Sequence, residues 1–198
     1  MRKILISLTG LTLLCICSFL VQANLLRRVS INEVAWGGTR ANPFDEWIEL
    51  KNNTDQEVSL QGWKLISESG KINIALSGSI PPKGFYLLER TDDTTVSDIP
   101  CDQTYTGTFL NSGDTLKLIG PDGGVEDTAN QQGGAWPAGC GSPKYISMER
   151  VNPLGEDIPS NWVDNNCKLI CGVDTEGNPI NGTPASENSI TLQMDSNQ

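Results

Sequence analysis

Carboxylates stand close together in the stretch INEVAWGGTRANPFDEWIEL. Glu33, Glu46 and Glu49 are residues that a glycoside hydrolase could use, because two carboxyl groups about 5 to 9 Å apart can divide the roles of acid and base. The alternative role is structural, with strand-borne carboxylates bonded to strand ends and paired with Arg90 or Arg150. We favour the structural role and predict that Glu33 or Glu49 is partly buried against Arg150.

The sequence contains no histidine, which removes the commonest general base and the commonest metal ligand. Catalysis by Ser-His-Asp or Cys-His machinery is therefore excluded. The segment GPDGG lacks a following lysine and helix, so it indicates a turn rather than a phosphate-binding loop. We expect no catalytic residues, no cofactor and no enzymatic activity.

Five tryptophans could offer flat surfaces for stacking on sugar rings. Core packing is the alternative for most of them, because an indole buries a large area. Trp36 and Trp136 lie near glycine-rich loops, which makes them the best candidates for an exposed ligand platform.

An acidic segment follows the strand-like stretch GFYLLER. It carries Asp92, Asp93, Asp98 and Asp102. Calcium would need six to eight oxygen ligands in a preformed cage. A solvated acidic loop is the alternative, and we favour it; no metal site is expected.

The N-terminus MRKILISLTGLTLLCICSFLVQA has a basic start, an apolar run and small residues at its end. These features predict a signal peptide over residues 1–23, cleaved after Ala23. The alternative is an uncleaved anchor, which Thr9 and Gly10 disfavour as a stable membrane span. We expect one domain over residues 24–190, a short tail over 191–198, no membrane span in the mature chain, and a secreted, periplasmic or extracellular location.

Four cysteines remain in the predicted mature chain: Cys101, Cys140, Cys167 and Cys171. An even number in an exported protein indicates two disulfides. Four cysteines allow three pairings, and we favour Cys101 with Cys140 and Cys167 with Cys171. A zinc site of four cysteines is the alternative, which the absence of paired two-residue spacings disfavours.

The charge of the chain is strongly negative. Of its 14 basic residues, Arg2 and Lys3 lie in the predicted signal peptide, which leaves 12 basic residues against 24 acidic ones and a formal charge of −12. Such a charge favours solubility and opposes nonspecific binding to nucleic acid or anionic lipid.

Short runs of alternating apolar residues, separated by turn residues, predict an all-β domain. The predicted strands cover residues 29–36, 47–51, 63–65, 71–76, 85–89, 116–119, 125–127 and 145–150. The stretch 116–127 predicts a hairpin around PDGG. Turn spacing and the lack of an internal repeat favour a β-sandwich over a propeller.

The order of motifs resembles a lamin tail domain over about residues 29–189. The motifs are INEVAW, DEWIELKNNT, LQGWKL, GFYLLER, LNSGDTLKLIGPDGGVEDT, WPAG, SMER and GTPASENS. The resemblance implies an immunoglobulin-like β-sandwich of the prokaryotic, exported kind, and it supplies no catalytic residues. The chain departs from the family in its four mature cysteines and in the insertion NNCKLICGVDTEGNPI.

These observations lead us to expect an exported, non-enzymatic module that binds or scaffolds an unidentified protein or surface polymer through loops on a rigid sandwich. A carbohydrate-binding module is the alternative, followed by a carboxylate-based glycoside hydrolase. The residues expected to serve structure are Asn32, Glu33, Glu46, Trp47, Glu49, Trp63 and Arg150.

Overall fold

The computed structural model describes residues 27–191. The predicted signal peptide and residues 192–198 of the predicted tail lie outside the described residues. Within 27–191, no helix is long and apolar enough to cross a membrane.

Strands make up most of the regular structure in the described chain. They are β1 (Val29–Ala35), β2 (Trp47–Asn52), β3 (Val58–Ser59), β4 (Lys64–Ser67), β5 (Asn73–Ala75), β6 (Ser79–Ile80), β7 (Phe85–Arg90), β8 (Gln103–Tyr105), β9 (Leu116–Ile119), β10 (Val125–Ala129), β11 (Met148–Arg150) and β12 (Trp162–Asp164). A short 3₁₀ helix, Pro159–Asn161, precedes β12.

The strands form a six-stranded sheet, a four-stranded sheet and a two-stranded ribbon. The six-stranded sheet has the order β12-β11-β1-β2-β7-β8, and the four-stranded sheet has the order β10-β9-β4-β5. Their neighbours are antiparallel except for β7 and β8, which are parallel. The ribbon pairs β3 with β6. The all-β prediction is therefore confirmed.

One hydrophobic core lies between the two larger sheets. Ile31, Ile48 and Leu88 of the six-stranded sheet pack in the same cluster as Leu65 and Leu118 of the four-stranded sheet. Alternate residues of a strand point to opposite faces, so these apolar positions form the inner face of the sandwich.

The central strand β1 is buried at every position. An antiparallel strand with one solvated face would alternate between buried and exposed residues. Both faces of β1 are therefore covered, the inner face by the four-stranded sheet and the outer face by segments from the C-terminal part of the chain. This outer cover positions the candidate site.

Candidate functional site

Three glutamates form a row on the outer face of the six-stranded sheet. Glu33 on β1 is in register with Glu49 on β2 and with Glu149 on β11. All three have 0% of their surface exposed. The structure thus brings together two of the carboxylates singled out in the sequence, and adds a third.

A β-bulge in β1 shapes the middle of this row. Ile31 lies opposite Leu50 and Glu33 lies opposite Glu49, so Asn32 is an extra residue on β1. The bulge brings the Asn32 amide to the outer face as well, where its Nδ2 donates to Glu49 Oε1 at 2.8 Å. The polar pair Asn-Glu inside an otherwise apolar run is the sequence signal of this bulge.

Residues 181–190, which we call the C-terminal clasp, cover the row. Thr183 N–H donates to Glu33 Oε1 at 3.0 Å, and Ala185 N–H donates to Glu49 Oε2 at 2.6 Å. Ser189 gives its N–H to Glu149 Oε1 at 3.1 Å and its hydroxyl to Glu149 Oε2 at 2.7 Å. Hydrogen bonds from the clasp thus satisfy each carboxyl group, as buried polar groups require.

The clasp lies very close to the sheet at Gly182. A Cβ atom there would stand 2.6 Å from Trp47 Cζ2 and 2.8 Å from Glu33 Oε1. Glycine is therefore needed for this close approach. Trp47 packs with Ala35, Leu87 and a few other residues in a second, smaller apolar cluster beside the glutamates.

Burial governs the protonation of the row. Burial, and then the neighbouring Glu149, raise the pKa of Glu33 to about 8. The pKa of Glu49 is also raised well above its usual value, first by burial and then by Glu33. Desolvation disfavours a carboxylate, and a second carboxylate nearby disfavours it further. Glu33 therefore carries a proton at neutral pH.

The position of Thr183 is consistent with that proton. Its hydroxyl oxygen lies 2.8 Å from Glu33 Oε2 and 3.2 Å from Glu149 Oε1. One hydroxyl proton can be donated to only one of the two carboxyl groups. A protonated Glu33 can donate to the hydroxyl oxygen, which then donates to Glu149.

Residues 23–133 match the model of the lamin tail domain, and they make up more than half of the chain. The chain belongs to the lamin tail domain family. No curated protein matches it. Membership identifies the sandwich as immunoglobulin-like, as the sequence predicted. In this lamin tail domain, β11, β12 and the clasp lie beyond the matched residues, although both strands belong to the six-stranded sheet.

The predicted pairing of Arg150 with Glu33 or Glu49 is wrong. Arg150 is completely buried and donates through Nη2 to Asp127 Oδ2, while its guanidinium carbon lies 4.4 Å from the centre of the Trp162 ring. Arg150 follows Glu149 directly, and neighbouring residues of a strand point to opposite faces. Glu149 consequently joins the outer row, whereas Arg150 points toward β10.

Arg90 does have a carboxylate partner, as predicted. Its Nη1 lies 3.5 Å from Glu46 Oε2. Glu46 also accepts hydrogen bonds from Phe109 N–H and the Thr108 hydroxyl, each at 3.0 Å. Burial raises the pKa of Glu46 above its usual value. Glu46 is thus held apart from the glutamate row and serves to anchor the segment that precedes β9.

The predicted ligand platform is not an exposed surface in this lamin tail domain. The rings of Trp36 and Trp136 are stacked on each other, with centroids 6.3 Å apart. Trp136 is only 8% exposed and packs in the main core. Both indoles donate to backbone oxygens, of Ala138 at 3.0 Å and Leu110 at 2.8 Å. Trp63 is also a core residue, with the Arg28 guanidinium 5.1 Å from the centre of its ring.

The aspartates that follow β7 bind local backbone groups. Asp98 Oδ1 accepts from Val173 N–H at 2.8 Å, and Asp102 Oδ2 accepts from Leu87 N–H at 2.7 Å. Asp93 Oδ1 accepts from Cys101 N–H at 2.7 Å. These carboxylates therefore fasten separate points of the fold.

One group of side chains in residues 27–191 has metal-ligand spacing. The ligand atoms of Glu89, Asp93 and Cys101 lie within 4.8 Å of one another. Both oxygens of Glu89 already accept backbone hydrogen bonds, from Thr95 at 2.9 Å and Val96 at 3.1 Å. Burial raises the pKa of Glu89 to about 7 and that of the Cys101 thiol to about 12. The group is thus better suited to holding protons than to binding a cation.

The four cysteines are free thiols in the structure. The predicted disulfides, Cys101 with Cys140 and Cys167 with Cys171, are not formed.

A groove lies between the outermost strands of the two large sheets, β5 and β8. Its volume is about 260 Å³, and its lining is uncharged and mostly polar. The polar residues are Asn73, Thr91, Gln103, Thr104, Tyr105 and Thr106, and Ile74 and Ala75 are apolar. It offers hydroxyl and amide groups to a ligand.

Sequence reasoning missed half of the buried site. Glu149, Thr183 and Ser189 were not singled out as site residues, although their motifs, SMER and GTPASENS, were recognised. Strand alternation would have separated Glu149 from Arg150. The pairing of the clasp with β1 joins residues 150 positions apart, as in Thr183 and Glu33, and no local pattern reveals it.

Proposed function

We propose that this lamin tail domain is an exported, non-enzymatic module that binds or scaffolds a protein or a surface polymer. One observation carries the non-enzymatic part: the glutamate row is completely buried and bonded to the chain's own clasp. A catalytic acid or base must come within hydrogen-bond reach of its substrate. Glu33 and Glu49 instead hold the C-terminal clasp to the sheet.

The proposal of export rests on the N-terminal sequence. The apolar segment with a basic start is typical of a signal peptide. We propose on this ground a secreted, periplasmic or extracellular location. The excess of acidic residues, a formal charge of −10 for the whole chain, favours solubility and opposes nonspecific contact of the module with nucleic acid.

Export is tested by expressing the full chain in a secreting bacterial host and determining the first residue of the protein found outside the cytoplasm. We expect Asn24, because cleavage follows Ala23. A full-length chain retained in the cytoplasm would refute the proposed location.

A carbohydrate ligand is the second candidate, and the groove between β5 and β8 supports it. Hydroxyl and amide groups line the groove, and such groups match the hydrogen-bonding groups of a neutral sugar. The Trp36–Trp136 stack, which first suggested a sugar platform, is turned into the core and gives no support.

The test is to incubate the mature chain with a panel of polysaccharides and to measure both the bound protein and newly formed reducing ends. We expect no new reducing ends. Hydrolysis that is lost in Glu33→Gln would overturn the non-enzymatic proposal. Binding that is lost in Thr104→Arg, at the groove, but kept in Gln61→Arg, at a distant exposed turn, would favour the carbohydrate candidate. Without such binding, a protein partner is favoured.

A further inference from the structure

The two cysteines first expected to pair lie at opposite edges of the six-stranded sheet. Cys101 immediately precedes Asp102, which exchanges hydrogen bonds with Leu87 on β7, at the β8 edge. Cys140 immediately follows Gly139, whose N–H donates to Asp164 Oδ1 on β12 at 2.7 Å. Four to five strand spacings of about 4.8 Å separate these edges by roughly 20 Å. A disulfide needs Cα atoms within about 7 Å, so Cys101 and Cys140 are too far apart to bond.

Cys140 instead lies beside the segment that carries Cys167. Cys140 exchanges two backbone hydrogen bonds with Ile146, each of 2.9 Å. The next residue, Ser147, accepts a hydrogen bond from Asn165 N–H at 3.1 Å. The segments around residues 140, 146 and 165 are therefore neighbours, with Cys167 two residues beyond the last contact.

The electrostatic surroundings of Cys167 agree with this placement. The thiol of Cys140 is the largest charge effect on Cys167, after burial, and it raises the pKa of the Cys167 thiol. Such an influence requires the two thiols to be close. Cys167 itself is exposed, so it is accessible to an oxidant.

The other two cysteines flank a second junction. Ser97 N–H donates to Val173 O, and Val173 N–H donates to Asp98 Oδ1, both at 2.8 Å. Gly172 is so near that a Cβ there would stand 2.4 Å from Val96 Cγ1. Cys171 immediately precedes Gly172.

Cys101 packs on the outer face of the six-stranded sheet. It contacts the small apolar cluster on the outer face, to which Val96 and Leu87 also belong. Gly172, the neighbour of Cys171, thus approaches Val96 of the cluster against which Cys101 packs. Of the three possible pairings, only one places both cysteine pairs across such junctions.

We propose that oxidation links Cys140 to Cys167 and Cys101 to Cys171. The two disulfides would fasten residues 167–171, which precede the clasp, to the two opposite edges of the six-stranded sheet. The proposal rests on the proposed export, which would supply an oxidising compartment. Residues 167–171 would then be fixed at both ends, and residues 172–180 lead from them to the clasp.

Each bond forms by thiol–disulfide exchange with a small disulfide such as oxidised glutathione. One protein thiolate attacks a sulfur of oxidised glutathione and expels one glutathione thiolate, which leaves a mixed disulfide. The second protein thiolate then attacks the protein sulfur of that mixed disulfide and expels the second glutathione thiolate. Two protein thiols lose two protons and two electrons, and one oxidised glutathione becomes two reduced molecules. Attack by Cys101 is expected to be slow, since burial raises its thiol pKa to about 12 and the thiolate is the nucleophile.

Trypsin separates the four cysteines completely, which makes the pairing directly measurable. Cleavage after Arg90, Lys117, Lys144, Arg150 and Lys168 places each cysteine in its own peptide. The four peptides span residues 91–117, 118–144, 151–168 and 169–198. The mature chain is equilibrated with a glutathione redox buffer, alkylated, unfolded in urea without reductant, digested and analysed by mass spectrometry.

We expect peptide 118–144 linked to 151–168, and peptide 91–117 linked to 169–198. A link between 91–117 and 118–144, or between 151–168 and 169–198, would overturn the proposal, as would four alkylated cysteines. In Cys140→Ser we expect alkylated Cys167 with the other link intact; a crosslinked Cys167 in this variant would refute its pairing with Cys140. Because purified protein is used, a failure of export in cells does not affect the result.

Discussion

Glu33 on β1 lies directly opposite Glu149 on β11, and neither carboxyl group has any exposed surface. Like charges directly opposite each other destabilise a sheet, and an unpaired buried charge costs still more. The clasp relieves both costs, because it donates hydrogen bonds to the row and covers a protonated Glu33. The row and the clasp therefore depend on each other.

The hydroxyl of Thr183 should contribute measurably to stability, because it bridges Glu33 and Glu149. Thr183→Val keeps the shape of the side chain and leaves buried carboxyl groups short of a partner. We expect a loss of about 1–3 kcal/mol in the free energy of unfolding, measured by urea denaturation. Thr106→Val, at an exposed position in the groove, is the control and should change stability by less than about 0.5 kcal/mol. Equal effects of the two substitutions would contradict the bridging role.

Substitution of Arg150 should lower the free energy of unfolding more than substitution of most other charged residues. Its side chain and that of Asp127 are both completely buried in their ion pair. Arg150→Met would leave Asp127 with one cationic partner among residues 27–191, Arg27, whose Nε lies 3.0 Å from Asp127 Oδ1, and with the Ile31 N–H, 2.8 Å from Asp127 Oδ2. We expect a loss of about 3–5 kcal/mol, read from thermal or urea unfolding.

The matched control for Arg150 is an exposed ion pair. Lys117 Nζ and Glu68 Oε1 are 3.8 Å apart, with both side chains well exposed. Glu68→Gln should cost no more than about 1 kcal/mol. If Arg150→Met were as mild as Glu68→Gln, the buried pair would not be a main contact between β11 and β10.

Trp136 should behave as a core residue. Trp136→Ala removes a ring that is 8% exposed and that contacts Trp36 and Phe109. We expect a loss of about 3–5 kcal/mol in urea unfolding. Phe44→Ala is the control, because that ring is 65% exposed, and its cost should be much smaller. A Trp136→Ala variant of unchanged stability would restore the exposed-platform interpretation.

Several of the longer strands could be predicted from the sequence. Val29–Ala35, Trp47–Asn52 and Phe85–Arg90 were expected within one residue or so, and the hairpin of Leu116–Ile119 with Val125–Ala129 was found with its turn. These segments carry enough apolar residues, some alternating and some in a nearly continuous run, to indicate a strand.

The short strands could not be predicted in the same way. β3 and β6 have two residues each, too few for any period. Trp162 begins β12, where the sequence predicted no strand, because pairing with β11 decides its conformation. Tertiary pairing overrides local preference at such edges.

The buried site lay beyond sequence reasoning for a different reason. Glutamate is almost never fully buried without partners, and the partners of Glu33 and Glu49 come from the clasp, more than 130 positions away. The partner of Arg150 was predicted wrongly, because the face of the sheet on which each residue lies depends on strand alternation. Which cysteines are neighbours likewise depends on which strands form the edges of the sheet.

The pH dependence of stability tests the buried row most directly. The pKa of Glu33 rises from an ordinary 4.5 to about 8 on folding. A group with a raised pKa binds its proton more tightly in the folded state, so its stabilising effect is complete below about pH 4.5 and is lost as the pH rises through about 8. Glu89, with a pKa raised to about 7, acts in the same direction.

The decisive measurement is therefore the free energy of unfolding in urea at about pH 5 and about pH 8.5, for the mature protein and for Glu33→Gln. A structural row predicts that the unsubstituted protein is clearly less stable at the higher pH. Glu33→Gln should lose less stability between the two pH values, since its amide does not ionise, and the loss that remains comes from groups such as Glu49 and Glu89. Equal pH dependence in both proteins, or greater stability at the higher pH, would contradict a buried, protonated Glu33 held beneath the clasp.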